Sequence, residues 1–560
     1  MIRHIRWQVA VALLGVVVLG LLLGGLAYTR TTVIVPDRGG TYIEGLAGGP
    51  SSINPLFWQN ETERDLVSLL FTGLTRGDER GEIVPDLAQS WEISEDNLTY
   101  TFHLRRDVRW HDGTPFTADD VLFTVRLMQH RDYQARPDLA ALWRSVVVEK
   151  VDEHTLRFTL SEPFAPFLDT TTVGILPAHL LKGVPVKALP ESPFNLHPVG
   201  TGPFMIEEVD ADHILLRANP HFYGPRPYLD KVEFKFYPDY QSLLVAYQRG
   251  EIEGLSRVFR RDLPRIRETS GLTLYSAPMA SCTLIFLNLG SPLFQEKEVR
   301  QALLLALDRQ GLIDEILDGQ GVVAHSPILP HSWAYDPGVR RYGYDLEEAK
   351  VLLEKAGWVD GNGDGIREKG ELRLEFTLLT NADPTRARMV EVISRQWAEV
   401  GVKAHTQMVE TSELREEVLR PRRFEALLYG WNIPAFDPDP YPLWHSTQAQ
   451  DEGQNYAGFA HGEADTLLEE ARRINDQALR ADMYRRFQEI FAEEVPSLLL
   501  YHPIYHYAVD EGVKGVQLSR VVIAPSDRFR TIAQWYIKTK RVILTEAGGL
   551  GGVDKFGISW

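Results

Sequence analysis

Cysteine is all but missing from this sequence: Cys282 is the one example in 560 residues. No intrachain disulfide can form, so a chain exported to an oxidising compartment must hold itself together by its core. No cysteine follows the apolar N-terminal run either, which excludes the usual bacterial lipid anchor. In YSAPMASCTLIFLNLG, Cys282 lies in an apolar, strand-like run, where free cysteine acts as a small hydrophobe and not as a nucleophile. An excess of positive charge is also absent. The formal charge is −18, without the basic stripe that nucleic acid requires, so no nucleic-acid partner is expected. Catalytic signatures are missing as well: there is no GxSxG elbow and no HExxH pair. His502 and His506 are four apart, but Pro503 breaks the helix that would put them on one face. His111-Asp112 sits in a turn beside Gly113 and reads as a satisfied surface histidine. GGLGG at Gly548–Gly552 follows no strand and opens no helix, so it is no phosphate loop. Low-complexity tracts and internal repeats are lacking too.

What is present is a globular composition, 44% hydrophobic and 24% charged. Cores stop growing near ~250 to 300 residues, so this length implies two or three domains. Trp7 to Thr29 carries no charge, and Val9 to Leu26 is almost wholly apolar, with Arg3, His4 and Arg6 before it and Arg30 after. This is a signal peptide or a membrane anchor. Its length favours an uncleaved anchor at residues 9–28, although Gly25 and Ala27 offer a peptidase small residues. The positive N-terminal flank puts the bulk of the chain outside the cytoplasm.

Strand and helix signals are interleaved along the chain, which predicts a mixed α/β architecture. Leu98, Tyr100, Phe102 and Leu104 alternate with polar residues as in a half-buried strand, and WHDGTPF supplies the turn after it. Thr117 opens a helix with Asp120 as capping-box partner. HTLRFTL at His154–Leu160 is a second alternating strand, and GTGPF at Gly200–Phe204 a glycine turn before strands at Ile214–Arg217 and Val232–Tyr237. Beyond Asn288, helices are expected at Glu298–Arg309, at Asp345–Ala356 with Gly357 as stop, at Pro384–Val400, and twice within Glu463–Glu494. A strand is expected at Glu371–Thr380, and an aromatic run begins at Tyr501. From Ala547 the glycine-rich end reads as frayed.

Two stretches carry candidate chemistry. Leu428 to Ser446 sets Trp431, Phe436, Tyr441 and Trp444 around Asp437 and Asp439, stiffened by Pro434, Pro438, Pro440 and Pro442. Rings with a few fixed polar groups make a small-molecule pocket, unless the rings simply fill a core. In DGNGDGIREKGE, Asp360, Asn362, Asp364, Ile366 and Glu371 fall at the first, third, fifth, seventh and twelfth places of a calcium loop. A strand follows where a helix should, so the alternative is a tight Gly/Asp hairpin loop. Any calcium there is expected to be structural.

Taken in order, these segments resemble the extracytoplasmic solute-binding proteins of ABC transporters, in the family 5 group that includes oligopeptide-, dipeptide- and nickel-binding proteins. The resemblance runs from about Gly40 to Tyr536. It is most specific in AQSWEIS and TYTFHLRRDVRWHDGTPFTADDVLFT, followed by GTGPF, NLGSPLFQEKEVRQALLLALDR and GWNIPAFDPDPYPLWHS. It implies an α/β, two-lobed periplasmic-binding-protein fold, type II-like, with an extra inserted domain. The expected division is a leader or anchor at 1–32, lobe one at 33–78, 196–287 and 505–540, the insertion at 79–195, lobe two at 288–504, and a tail at 541–560. It also implies capture of ligand by hinge closure, delivery to an ABC permease, no catalysis, no required cofactor, and a monomer.

In peptide-binding relatives, an aspartate three residues past the tryptophan pairs with the peptide's α-amino group; here that place holds Pro434, and Asp437 is the candidate substitute. Trp431, Asn432, Asp437, Trp444 and Tyr501 are expected to line the pocket. Peptide is preferred over oligosaccharide, whose apolar faces would stack on the same rings. The enzymatic alternative is an exported glycoside hydrolase using the paired carboxylates. A membrane-tethered sensor is a third reading, disfavoured because only about eight residues precede the apolar run.

Overall fold

SLLLYHPIYHYAVD, Ser497–Asp510, forms one unbroken strand that ties the molecule together. Its first part pairs antiparallel with Ser281–Leu287, from Phe286 opposite Ser497 to Thr283 opposite Tyr501. Its second part pairs with Leu272–Pro278, from Pro278 opposite Ile504 to Leu272 opposite Asp510. Pro503 falls at the changeover, where a residue without an N–H interrupts neither ladder. The computed structural model describes residues 7, 13–22, 32–434, 436–450 and 452–543. Within them a twelve-stranded sheet runs through Lys403–Val409, Glu375–Asn381, Ala426–Asn432, Ser281–Leu287 and Ser497–Asp510. It continues through Gly254–Leu255, Thr41–Ala47, Lys231–Tyr237, His213–Ala218 and Phe204–Val209, and Leu272–Pro278 and Gly321–Val323 complete the twelve by pairing with Ser497–Asp510 off this path.

The crossing between lobes therefore lies at Pro278–Ser281 and around Pro503, and a third segment joins it where Ala280 N–H donates to Val522 O. This moves one expected boundary. Residues 281–287, assigned to lobe one from motif order, are bonded to Ala426–Asn432 and belong with lobe two. Their alternation explains the apolar run: Ile285 and Leu287 enter the core on one face of the sheet, Cys282, Leu284 and Phe286 the core on the other. Burial pushes the Cys282 thiol up to about 12, which leaves it protonated and inert.

The inserted domain is a four-stranded antiparallel sheet in the order Ala88–Ile93, Thr99–Leu104, Thr155–Thr159, Val147–Asp152. Tyr100, Phe102 and Leu104 point inward as their spacing predicts. Helix Ala118–Gln129 carries the expected capping box of Thr117 and Asp120. Its apolar face joins a core continuous with lobe one, so the insertion is fused to that lobe and not hung from it. In lobe two the helix expected at Glu298–Arg309 is observed as Lys297–Leu305, and a further helix not expected from the sequence, Arg309–Leu317, follows it. Asp308 breaks the run because its carboxylate accepts from Gly311 N–H at 2.8 Å and caps the second helix.

WHDG and GTGPF, far apart in sequence, meet at His111. Gly200 N–H donates to His111 Nδ1 at 3.0 Å, and Nε2 lies 3.2 Å from Gly202 O. The ring is thus neutral with its proton on Nε2, and it is buried, contrary to the surface position read from sequence. Both glycines are dictated by helix Glu61–Leu70, since a Cβ on Gly200 would meet Leu70 O at 1.8 Å and one on Gly202 would meet Leu69 O at 2.2 Å.

Burial lowers the His111 pKa from 6.5 to about 4. A histidine with a depressed folded pKa stabilises the fold fully above its unfolded pKa. That contribution fades as pH falls from 6.5 toward 4, when protonation would set Nδ1–H against Gly200 N–H. It is worth on the order of 3 kcal/mol. The loss of urea stability between pH 7 and pH 4.5 is expected to be smaller in His111→Asn than in the parent chain, whatever the variant's stability at pH 7.

Residues 13–22 are helical, while the rest of the expected 9–28 anchor and the tail from 544 lie outside the described residues. Among the described residues no helix is long and apolar enough to cross a membrane. Thr32–Asp37 pairs antiparallel with Lys538–Ile543 in a separate two-stranded ribbon, Thr32 opposite Ile543.

Candidate functional site

Strand Ala426–Asn432 delivers the aromatic loop to the edge of the cleft, and its alternation decides what each residue does. Trp431, half-buried, sets its ring edge-on to Tyr456 at 5.2 Å and Phe286 at 6.4 Å. Asn432 is exposed, opposite Ser281. Tyr429 stands beneath the Arg386 guanidinium, 4.7 Å from its ring centre, and Arg386 also donates to Asn381 Oδ1 at 2.9 Å. Tyr501 is buried; burial raises its hydroxyl pKa, against the pull of Thr283 and of nearby Arg386. Trp431, Asn432 and Tyr501 thus share one end of the lobe-two sheet with Arg386 and Tyr429.

Two of the expected pocket residues are engaged elsewhere. Asp437 is buried and bidentate to Arg480, both contacts 2.6 Å. Its oxygens already accept from a fixed guanidinium, so it does not offer a free carboxylate in place of the one missing at Pro434. Asp439 is likewise buried and takes Arg472 Nε at 2.9 Å. Trp444 is core: 3% exposed, edge-on to Phe491 at 4.7 Å. Arg480 and Arg472 come from helices Gln477–Glu494 and Gly462–Arg473, so the proline-rich loop is pinned by two arginines that sequence reasoning missed.

The same loop reaches across to lobe one and its insertion. Phe436 packs so closely on Gly77 that a Cβ there would lie 2.0 Å from its ring, and Arg530 covers the ring at 4.9 Å. Asp437 N–H donates to Asp169 at 2.8 Å. Burial, with the Asp437 charge beside it, raises the Asp169 pKa to about 7. Asn475 donates to Asn97 at 2.9 Å, and Asn97 donates to Arg473 O at 3.2 Å. Ala165 N–H donates to Arg472 O at 2.7 Å, while the Arg472 guanidinium lies over Phe164 at 4.9 Å. None of Asn97, Phe164 or Asp169 carries a motif. Each acts through a partner more than 250 residues away, for which a single sequence offers no signal.

The acidic loop differs from a calcium loop at its last ligand. Asp360, Asp364 and Glu368 bring carboxylate oxygens within 4.8 Å of one another. Glu371 is not part of this group; it lies in the turn between the paired strands Glu368–Lys369 and Leu372–Arg373. The hairpin after Ile366 moves the twelfth place away and turns the ninth inward. The loop also binds itself: Asp360 accepts from Gly363 and Gly365 N–H, and Asp364 pairs with Arg373 at 2.8 Å.

Residues 82–453 match the family model for bacterial extracellular solute-binding proteins, family 5. The chain is 34% identical over 513 residues to the oligopeptide-binding protein AppA of Bacillus subtilis, covering 90% of this chain and 92% of that one. It is 28% identical to the dipeptide-binding protein of Escherichia coli, covering 89% and 95%. The solved structure of Bacillus subtilis AppA in complex with a nonapeptide superposes with a TM-score of 0.69 at 32% identity, covering 90% of this chain and all of that one.

Proposed function

The chain belongs to the bacterial extracellular solute-binding proteins of family 5, and from that premise we propose that it is a peptide receptor serving an ABC importer. It takes ligand between its lobes, closes about the crossings at Pro278–Ser281 and Pro503, and hands the ligand to permease subunits. The observation that carries this reading is the loop of lobe two, whose Phe436 and Asp437 meet Gly77, Arg530 and Asp169 across the cleft. In this reading these contacts bridge the two lobes in the closed form, next to the space beside Trp431 and Asn432 that ligand would fill. The protein acts outside the cytoplasm as a monomer, with the N-terminal stretch as its membrane tether.

No catalytic step is proposed. A glycoside hydrolase needs one carboxyl to give a proton and another free to attack or to activate water. Asp437 and Asp439 are instead fixed by Arg480 and Arg472. Pro434 favours one competing reading, a receptor for oligosaccharides, since no free carboxylate of this loop is left for an α-amino group.

Native mass spectrometry of the full chain as purified, followed by denaturation, tests the choice. A co-purified peptide mixture is expected. A bound sugar, or an empty protein whose melting temperature rises only with oligosaccharides, overturns the peptide reading.

For the acidic loop we propose that calcium, where it binds, is structural and is held by Asp360, Asp364 and Glu368. Glu368 Oε2 is buried without a hydrogen-bond partner. Calorimetric titration after chelation is expected to give a heat that Glu368→Gln removes and Glu371→Gln leaves intact. No heat at millimolar calcium sinks the idea.

A further inference from the structure

Strand Thr41–Ala47 runs parallel to Lys231–Tyr237, and the loop that leaves its carboxyl end passes through Trp58 into helix Glu61–Leu70. Ligands of open α/β sheets gather at such ends. Acidic residues crowd this helix, and each has its partner. Glu61 faces Arg257 at 3.5 Å. Glu63 accepts from the backbone N–H groups of Ser51, Ser52 and Gln59, which fixes the loop bearing Trp58. Asp65 is bidentate to Arg528. Asp527, the remaining nearby carboxylate, holds Arg530 at 2.7 Å.

Arg64 is left over. Its guanidinium makes no ion pair and no hydrogen bond among the described residues; it lies on the Trp58 ring, 5.0 Å from the centre, and Arg136 of the inserted domain lies 5.5 Å from the same ring. Burial draws the Arg64 pKa below its ordinary value, aided by the like charges of Arg136 and Arg530 and opposed by the carboxylates of Asp527 and Asp65. Arg530 in turn covers Phe436 of the opposite lobe, so the group sits on the lobe-one side of the cleft. In a chain of net charge −18, a half-buried guanidinium with no direct ion pair, whose nearby carboxylates Asp527 and Asp65 are bonded to Arg530 and Arg528, is out of place for stability. It is in place for a ligand that brings the anion.

We propose that Arg64, held flat by Trp58 and seconded by Arg136, is a carboxylate-binding subsite on lobe one, and that the receptor selects ligands bearing a carboxylate. The planar fork of guanidinium accepts a carboxylate bidentately, and the ring fixes its plane in advance. This rests on the receptor reading above. It also fits a cleft that offers ligand cations little: the carboxylates of the facing loop are occupied by Arg480 and Arg472.

The test uses the full chain in detergent, a pentapeptide library with free C-termini, and the same library amidated and without acidic side chains. The free-acid library is expected to raise the melting temperature and the amidated one to have little effect. Arg64→Gln is expected to weaken free-acid binding at least tenfold and erase the preference, while its ligand-free melting temperature equals or exceeds that of the parent. A cation with a merely structural role would lower it. Equal binding of both libraries, or an acid preference unchanged in Arg64→Gln, overturns the proposal.

If neither library binds, the peptide reading falls, and the subsite is judged on oligogalacturonates against neutral oligosaccharides. Acid-selective binding lost in Arg64→Gln upholds it; binding without acid selectivity, or none, overturns it.

Discussion

Arg528→Met is expected to be among the most damaging single changes in this chain, costing about 3–5 kcal/mol or more at pH 7.5, because it leaves buried carboxylates without their cation. Arg528 is fully buried and donates to Glu44 at 2.5 and 2.8 Å and to Asp65 at 2.6 and 3.0 Å. Tyr42 and Tyr507 add their hydroxyls to the Glu44 carboxylate. Strand Thr41–Ala47, helix Glu61–Leu70, strand Ser497–Asp510 and the turn Pro525–Gln534 are thereby fastened at one point.

Burial already raises the Asp65 pKa to about 6 with the arginine in place. A carboxyl whose folded pKa is raised contributes stability that is lost as pH climbs from its unfolded value through the folded one. Without Arg528 that loss should extend further toward alkaline pH. Urea midpoints at pH 5 and 7.5 check this: the deficit of the variant is expected to be clearly smaller at pH 5. A deficit independent of pH would show that lost packing, and not stranded charge, is what the variant suffers.

Asp437→Asn is expected to destabilise by about 3–5 kcal/mol, since Arg480 would remain buried with no counter-charge. A residue that only contacted ligand would lower affinity and leave the ligand-free melting temperature alone. The double change Asp437→Leu with Arg480→Met separates the cases: removing both charges is expected to recover much of the stability, while the loop that bears Phe436 loses its fixed approach to Gly77. Melting of the two variants without ligand is sufficient. An unchanged melting temperature in Asp437→Asn would return Asp437 to the list of ligand contacts.

What could be read in advance follows distance along the chain. Tyr100, Phe102 and Leu104 announce a half-buried strand because their spacing alone determines their face. Thr117 and Asp345 announce helix starts because a cap is closed within three residues. Asp308 closes an equally local cap on Gly311, but it stands in the polar stretch Asp308-Arg309-Gln310 that reads equally well as the end of the preceding helix.

The site fared differently. Asp437 was visible as a carboxylate among rings, but its meaning depends on Arg480, 43 residues on, and on Asp169, 268 residues back. Trp444 has the composition of a pocket wall and the surroundings of a core residue, a distinction made by Phe491 and not by its neighbours in sequence. His111 was recognised as part of a turn, while its bond to Gly200 spans 89 residues. The unpaired state of Arg64 is a negative property that emerges only once every nearby carboxylate has been assigned.

The pairing of Thr32–Asp37 with Lys538–Ile543 sets a length as well as a contact. Six extended residues span about 20 Å, and two bonded strands bend far less than one. Anything that grips the chain ahead of Thr32 therefore holds the lobes at the end of a stiff spacer, limiting how far the cleft can roll relative to that attachment. The same end of the ribbon places Ile543 beside Thr32, so a fluorophore attached at Ile543 would report on the attachment point.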